Sequence, residues 1–257
     1  MNKLFVFVFA LFMFAPPAKA QTAEKEFDTT QFTKYLEFAN WLTEYEYVTQ
    51  QGVEKFIYQP EQNTPVWFSY IQDKTWLIVG GRGDTESFDI IHKLQIDSLS
   101  DVTEYNGNFD TAQIKSIGIA LIQSEKQFQL IRDTSSLFFN SFAFINADQT
   151  ISIWYFPAFQ PSGQAVYGCE WEYVFDKNGK NPLRQNSVIS KITGIWIGQP
   201  REIWLNFRDI DKPTVGSIFF ALSFRDYFTR LRIDTRISTS ITARDNNGNY
   251  SWTHVMK

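Results

Sequence analysis

A single cysteine, Cys169, stands in the 257-residue chain. A protein with one cysteine has no internal disulfide framework, so its stability must come from an ordinary core. Only two histidines, His92 and His254, are present. Together with one thiol they cannot build the usual zinc clusters without several carboxylates, so no metal and no other cofactor is expected. No run of Lys or Arg occurs, which makes nucleic acid and anionic membrane surfaces poor partners. G-x-S-x-G, the phosphate-binding P-loop and the dinucleotide fingerprint are all missing, and with them the common signatures of serine hydrolases and nucleotide-binding enzymes.

The one long apolar run lies at the start. In MNKLFVFVFALFMFAPPAKA, Lys3 precedes twelve apolar residues from Leu4 to Ala15, and Ala18-Lys19-Ala20 fits a small-x-small cleavage site. That pattern reads as a secretory signal over residues 1–20. The run falls short of the roughly 20 residues of a membrane span, and no cysteine follows it to carry a lipid anchor. The expectation is an exported bacterial protein, periplasmic or secreted, with no membrane span in its mature chain. Removing Lys3 and Lys19 leaves 22 basic and 28 acidic residues, an acidic balance.

Aromatics are abundant: 25 Phe, 11 Tyr and 8 Trp. Such residues favour strands, where rings pack across neighbouring positions, and they leave rings to stack on a ligand. Residues 28–50 carry the one clear helical signal. Phe32, Tyr35, Leu36, Ala39, Leu42 and Tyr45 recur at spacings of three and four, Asp28 or Thr29 can cap the start, and Gly52 is a plausible stop. Beyond Gly52 the period becomes two. Strands are predicted at 66–71, 75–79 and from Phe88 to Ile96, forming a β-meander.

The segment Gly80-Gly81-Arg82-Gly83-Asp84 is expected to connect two of these strands, its glycines supplying positive φ. The tripeptide Arg82-Gly83-Asp84 resembles the adhesion signal read by animal integrins, but a turn explains it as well. Residues 111–122 fit either a strand or a short helix, because Gly118 weakens the helical pattern. From 137 onward the pattern reads as nearly continuous sheet: 137–145, 150–159, 163–176, 187–197, 201–207, 217–224 and 227–242. Asn-Gly turns are expected at 177–180 and 245–248. The fold class expected is α+β, mostly antiparallel β, with an N-terminal helix followed by meander-type sheets. Residues 21–257 are taken as one α+β domain, with a subdivision near 133–136 as the alternative.

Two constellations stand out. On the strand 163–176, Glu170 and Glu172 fall on one face, roughly 6–7 Å apart from two strand rises. Such a spacing suits the acid and base of a glycan-acting hydrolase, with Trp154, Tyr155 and Trp171 as aromatic walls. The plainer alternative is an outer polar face in water. On the strand near 230–236, Arg230, Arg232 and Arg236 align with Asp234 and can bind an anion or pair with acids across the sheet. Cys169 falls on the aromatic face and reads as a buried structural thiol. DKNGK and DNNGN resemble the openings of calcium loops without the closing glutamate, so both read as turns. Asp28-Thr29-Thr30, Asp97-Ser98-Leu99 and Asp110-Thr111-Ala112 resemble O-glycosylation acceptors of exported bacterial proteins. The expected role is a non-catalytic interaction module of the cell envelope, of which a toxin-neutralising immunity protein is one form. Its expected partner is a protein or a glycan.

Overall fold

A computed structural model describes residues 26–56, 66–97, 101–131, 137–198, 201–245 and 250–257. The signal segment, the division near 133–136, Ser98-Leu99 and most of the second Asn-Gly turn lie outside these residues.

Helix α1 spans Thr29–Phe56. Asp28 caps it, its Oδ1 accepting the Gln31 N–H at 3.0 Å, as an N-cap carboxylate should. The helix does not stop at Gly52. It runs one turn further, and Gly52 is buried so close to Ile78 that a Cβ there would stand 2.6 Å from its Cγ2. The glycine serves helix-to-sheet contact and not termination.

The meander follows as β1 (Val66–Gln72), β2 (Thr75–Gly83), β3 (Phe88–Ile96) and β4 (Val102–Glu104), paired antiparallel in that order. The expected positive φ at Gly80, Gly81 and Gly83 is not found, since all three belong to β2. The left-handed residues are Asp73 and Lys74, in the preceding turn. Gly81 instead makes room for Phe88, whose ring would lie 2.3 Å from an added Cβ. The actual turn is 84–87, where Asp84 Oδ1 accepts the N–H groups of Glu86 and Ser87. The Asp84 carboxylate of the adhesion-like tripeptide is therefore occupied in closing its own turn.

Residues Thr111–Ile131 form a second long helix, α2, and not the strand or short helix that the sequence suggests. Gly118, the residue that argues against a helix, is required by packing: its Cβ would meet the Phe88 ring at 2.4 Å. Asp110 caps this helix through the Gln113 N–H. Two of the three glycosylation-like tripeptides thus begin with a helix cap.

The second sheet has the order β5 (Phe139–Ile145), β6 (Ile151–Pro157), β7 (Gln164–Phe175) and β8 (Pro182–Trp196). The Asn178-Gly179 hairpin between β7 and β8 is as expected, with Gly179 at φ +73°. Helix α1 covers one face of this sheet through Tyr45 against Phe142 and Phe38 against Phe144. Helix α2 covers the other, with Phe128 stacked 4.2 Å from Tyr155.

The third sheet corrects a further expectation. Residues 217–224 are not a strand; Val215–Ser223 form helix α3. A capping box opens it, Thr214 Oγ1 accepting the Ser217 N–H while Ser217 Oγ accepts the Thr214 N–H. Helix α3 is the crossover between β9 (Arg201–Phe207) and β10 (Phe228–Thr235), which run parallel. Parallel neighbours need such a crossover, and consecutive strands could not supply it. β11 (Ser238–Arg244) and β12 (Tyr250–Met256) complete the order β12-β11-β10-β9. The fold is α+β and β-rich, with three four-stranded sheets that are antiparallel apart from β9–β10. One continuous apolar cluster runs through all three sheets and all three helices. The start of α1 reaches the last strand: Phe27 stacks on His254 at 3.9 Å, and Phe32 meets Trp252 edge-on. Among the described residues no helix is long and apolar enough to cross a membrane.

Candidate functional site

Strand β7 is distorted in its middle. Gly168 and Cys169 both take positive φ, +91° and +52°, and the β7–β8 register shifts there. An added Cβ at Gly168 would stand 1.9 Å from the Lys191 carbonyl oxygen, so only glycine fits. Left-handed backbone at a cysteine costs about 1–3 kcal/mol and persists where the surroundings impose it. Strict alternation would put Tyr167 and Glu170 on opposite faces. The turn of the chain at 168–169 brings both to the lining of one cavity.

That cavity has a volume of about 170 Å³. Helix α3 supplies Phe219 and Phe220, followed by Phe224 at its end; Phe156 comes from β6, and Tyr227 from the turn beyond α3. Glu170 is 1% exposed. Its Oε1 accepts a hydrogen bond from Thr214 Oγ1 at 2.5 Å, and its Oε2 accepts the Gly216 N–H at 3.1 Å. The carboxylate thus sits at the N-terminus of α3, where the helix dipole favours negative charge. Gly216 is necessary, since a Cβ there would lie 2.4 Å from Glu170 Cδ. Burial nevertheless pushes the Glu170 carboxyl up to about 7, against the lowering effect of those two hydrogen bonds.

A second carboxylate lines the same cavity. Glu46 of α1 is raised by burial, while a hydrogen bond from Asn140 Nδ2 acts in the other direction. Ser223 Oγ, also at the cavity, is buried without a hydrogen-bond partner. Glu46 and Phe159 line in addition an adjoining groove of about 440 Å³ between α1 and β5, bordered by Thr49, Gln50 and Asn140. Cavity and groove are thus neighbours that share Glu46 and Phe159 in their walls.

Glu172 is on the same face of β7 but does not line this cavity. It is 8% exposed and is held by Asn186 Nδ2 at 2.7 Å, Arg184 Nη2 at 3.2 Å and Ser152 Oγ at 3.4 Å. Neither carboxylate is on a solvated outer face, because α1 and α3 cover that side of the sheet. Trp154 shares the face and stacks on Phe156 at 5.6 Å. Tyr155 and Trp171 pair with each other across β6 and β7 on the opposite face. Tyr155 is buried there against α2, hydrogen-bonded to Ser124 at 2.9 Å, so the three aromatic residues expected as walls do not converge.

The arginine row is engaged by acids. Arg230 and Arg232 pair with Glu202 at 3.7 and 2.5 Å, and Arg232 lies over the Trp204 ring. Arg236 falls beyond the end of β10 and holds Asp211 through two hydrogen bonds of 2.6 and 2.7 Å. Asp234 is paired with Lys257. None of the three arginines lines the cavity.

Cys169 is buried, and burial pushes its thiol up to about 11, the opposite of an activated nucleophile. The histidines stack elsewhere, His92 on Trp67 and His254 on Phe27. Among the described residues no three His, Cys, Asp or Glu side chains gather to hold a metal ion. The loop Asp176–Lys180 is a turn in which Asp176 Oδ1 accepts the Lys180 N–H.

Of the residues that line the cavity, the sequence pattern singles out Glu170 alone. Glu46 carried no signal, lying just beside the apolar stripe of α1. The α3 rings were hidden by reading that segment as a strand. The T-x-x-S capping pattern at Thr214–Ser217 was the available clue. Comparison with family models, curated proteins and solved structures finds no match.

Proposed function

We propose that this chain is an exported, non-catalytic binding protein of the cell envelope that takes its ligand in the aromatic cavity between β7 and α3. The observation that carries this is a cavity of about 170 Å³ walled by aromatic rings, with the buried Glu170 carboxylate and an unpaired Ser223 hydroxyl in its lining. Ligand sites are concave, mainly apolar and marked by a few placed polar groups. The space suits a small molecule or one projecting group, since a cavity of about 150 Å³ holds benzene. Glu170 and Glu172 are fastened in separate networks, which favours binding over an acid–base pair made of those two residues.

The test is a thermal-shift screen of small molecules on the wild type beside Ser223→Met, which fills the cavity from its wall. Compounds that raise the wild-type Tm and leave the variant unmoved support the proposal. Equal shifts in both proteins, or none in either, overturn it.

A further inference from the structure

The cavity and its groove have an unusual chemical balance. Among the described residues their lining holds two carboxylates, Glu170 and Glu46, and no Lys, Arg or His. Aromatic residues make up about half of the remaining lining. Rings present negative π faces, which attract cations, and desolvated carboxylates prefer charged donors to neutral ones. A carboxylate has about four acceptor positions. Glu170 commits two of them, to Thr214 and Gly216, and Glu46 has one hydrogen bond, from Asn140. Acceptor capacity is therefore left at both carboxylates, and Ser223 Oγ adds a further unpaired polar atom.

Taking the cavity to be the binding site, we infer that its ligand is a small organic cation, an ammonium group on a short apolar or aromatic stem. The ammonium donates to the remaining acceptor positions of Glu170, Glu46 adds attraction at the junction with the groove, and the stem lies among Phe219, Phe220 and Phe224. An anionic ligand would meet two acids with no compensating base. A neutral one would leave the buried carboxylates without a charged partner.

The probes are benzylamine, benzyl alcohol and benzoate, which share one ring and differ in charge. Their affinities are measured by titration calorimetry at pH 8 on wild type, Glu170→Gln, Glu46→Gln and Ser223→Met. Benzylamine is expected to bind at least about tenfold more tightly than benzyl alcohol, with benzoate weakest. The preference should collapse in Glu170→Gln and weaken in Glu46→Gln, which keeps the hydrogen bonds of Glu170 to Thr214 and Gly216. Should Glu170→Gln fail to fold by circular dichroism, Glu46→Gln decides. Equal binding of amine and alcohol, abolished in Ser223→Met, would overturn the cation preference while leaving the cavity as a binding site. Absence of binding by all three probes would overturn both.

Discussion

Glu170 and Glu172 are two residues apart on one strand, on one face, and both are buried, yet they live in different surroundings. Glu172 lies in regular sheet among polar neighbours from β6 and β8, one of them the exposed Arg184. Glu170 follows a break in the strand, faces an aromatic cavity and is held by the first turn of a helix. The first arrangement neutralises a carboxylate inside the sheet. The second holds one at a cavity wall with acceptor capacity to spare. Sequence distance says little about such a difference, because two left-handed residues are enough to create it.

The sharpest way to break the Glu170 arrangement is Gly216→Val. The added side chain would displace the carboxylate and strip Thr214 and Gly216 of their acceptor. Leaving buried polar groups unpaired in this way should lower stability by about 2–4 kcal/mol, read from the urea midpoint. Combined with Glu170→Ala the loss should be clearly smaller than the sum of the two, since the clash disappears.

Next in size is the pH dependence. The Glu170 carboxyl is raised from 4.5 to about 7, so the folded state holds a proton that the unfolded state has released between those values. The associated stability is fully present below pH 4.5 and is lost as pH rises through about 7. The loss should be on the order of 3 kcal/mol. Glu46 of α1 faces the same cavity and is raised in the same direction, adding to the trend; among the described residues Tyr167 and Tyr227 are the other titratable groups in the lining. Urea unfolding from pH 4.5 to 8 should show a clearly flatter profile for Glu170→Gln than for wild type. Parallel profiles would show that Glu170 is ionised throughout.

The smallest effect belongs to Glu172. Its ion pair with Arg184 involves an arginine side chain that is 60% exposed, so Arg184→Ala should cost only about 0–1 kcal/mol. A larger change in the urea midpoint would mean that the two carboxylates depend on charge more equally than their surroundings imply.

What was legible in the sequence was local. The stripe from Phe32 to Tyr45, the alternation of Phe88 to Leu94 and the Asn178-Gly179 turn each carry their structure in a few residues. α2 and α3 were misjudged because long-range packing overrode the local signal. Gly118 lowers helix propensity, yet Phe88, thirty positions earlier, demands it. The aromatic segment from Phe219 to Phe224 has strand-like composition, but the parallel pairing of β9 and β10 requires a crossover. The cavity was hidden for the same reason, since it joins α1, β6, β7 and α3. Only the alternation that sets Glu170 beside Glu172 on one face of its strand gave a foothold.

The stacking of Phe27 on His254 has a consequence for how the chain is made. Residues near the beginning finish their packing only against the last strand, so the closing contacts span almost the whole described sequence. Contacts of that separation slow folding, because the loop entropy is lost before they can compensate. A chain in which β12 is not yet formed leaves Phe27 and Phe32 without the rings of Trp252 and His254. The native packing of this segment is thus complete only once β12 is in place, so a step that delays β12 delays the closing of the N-terminal end of α1 as well.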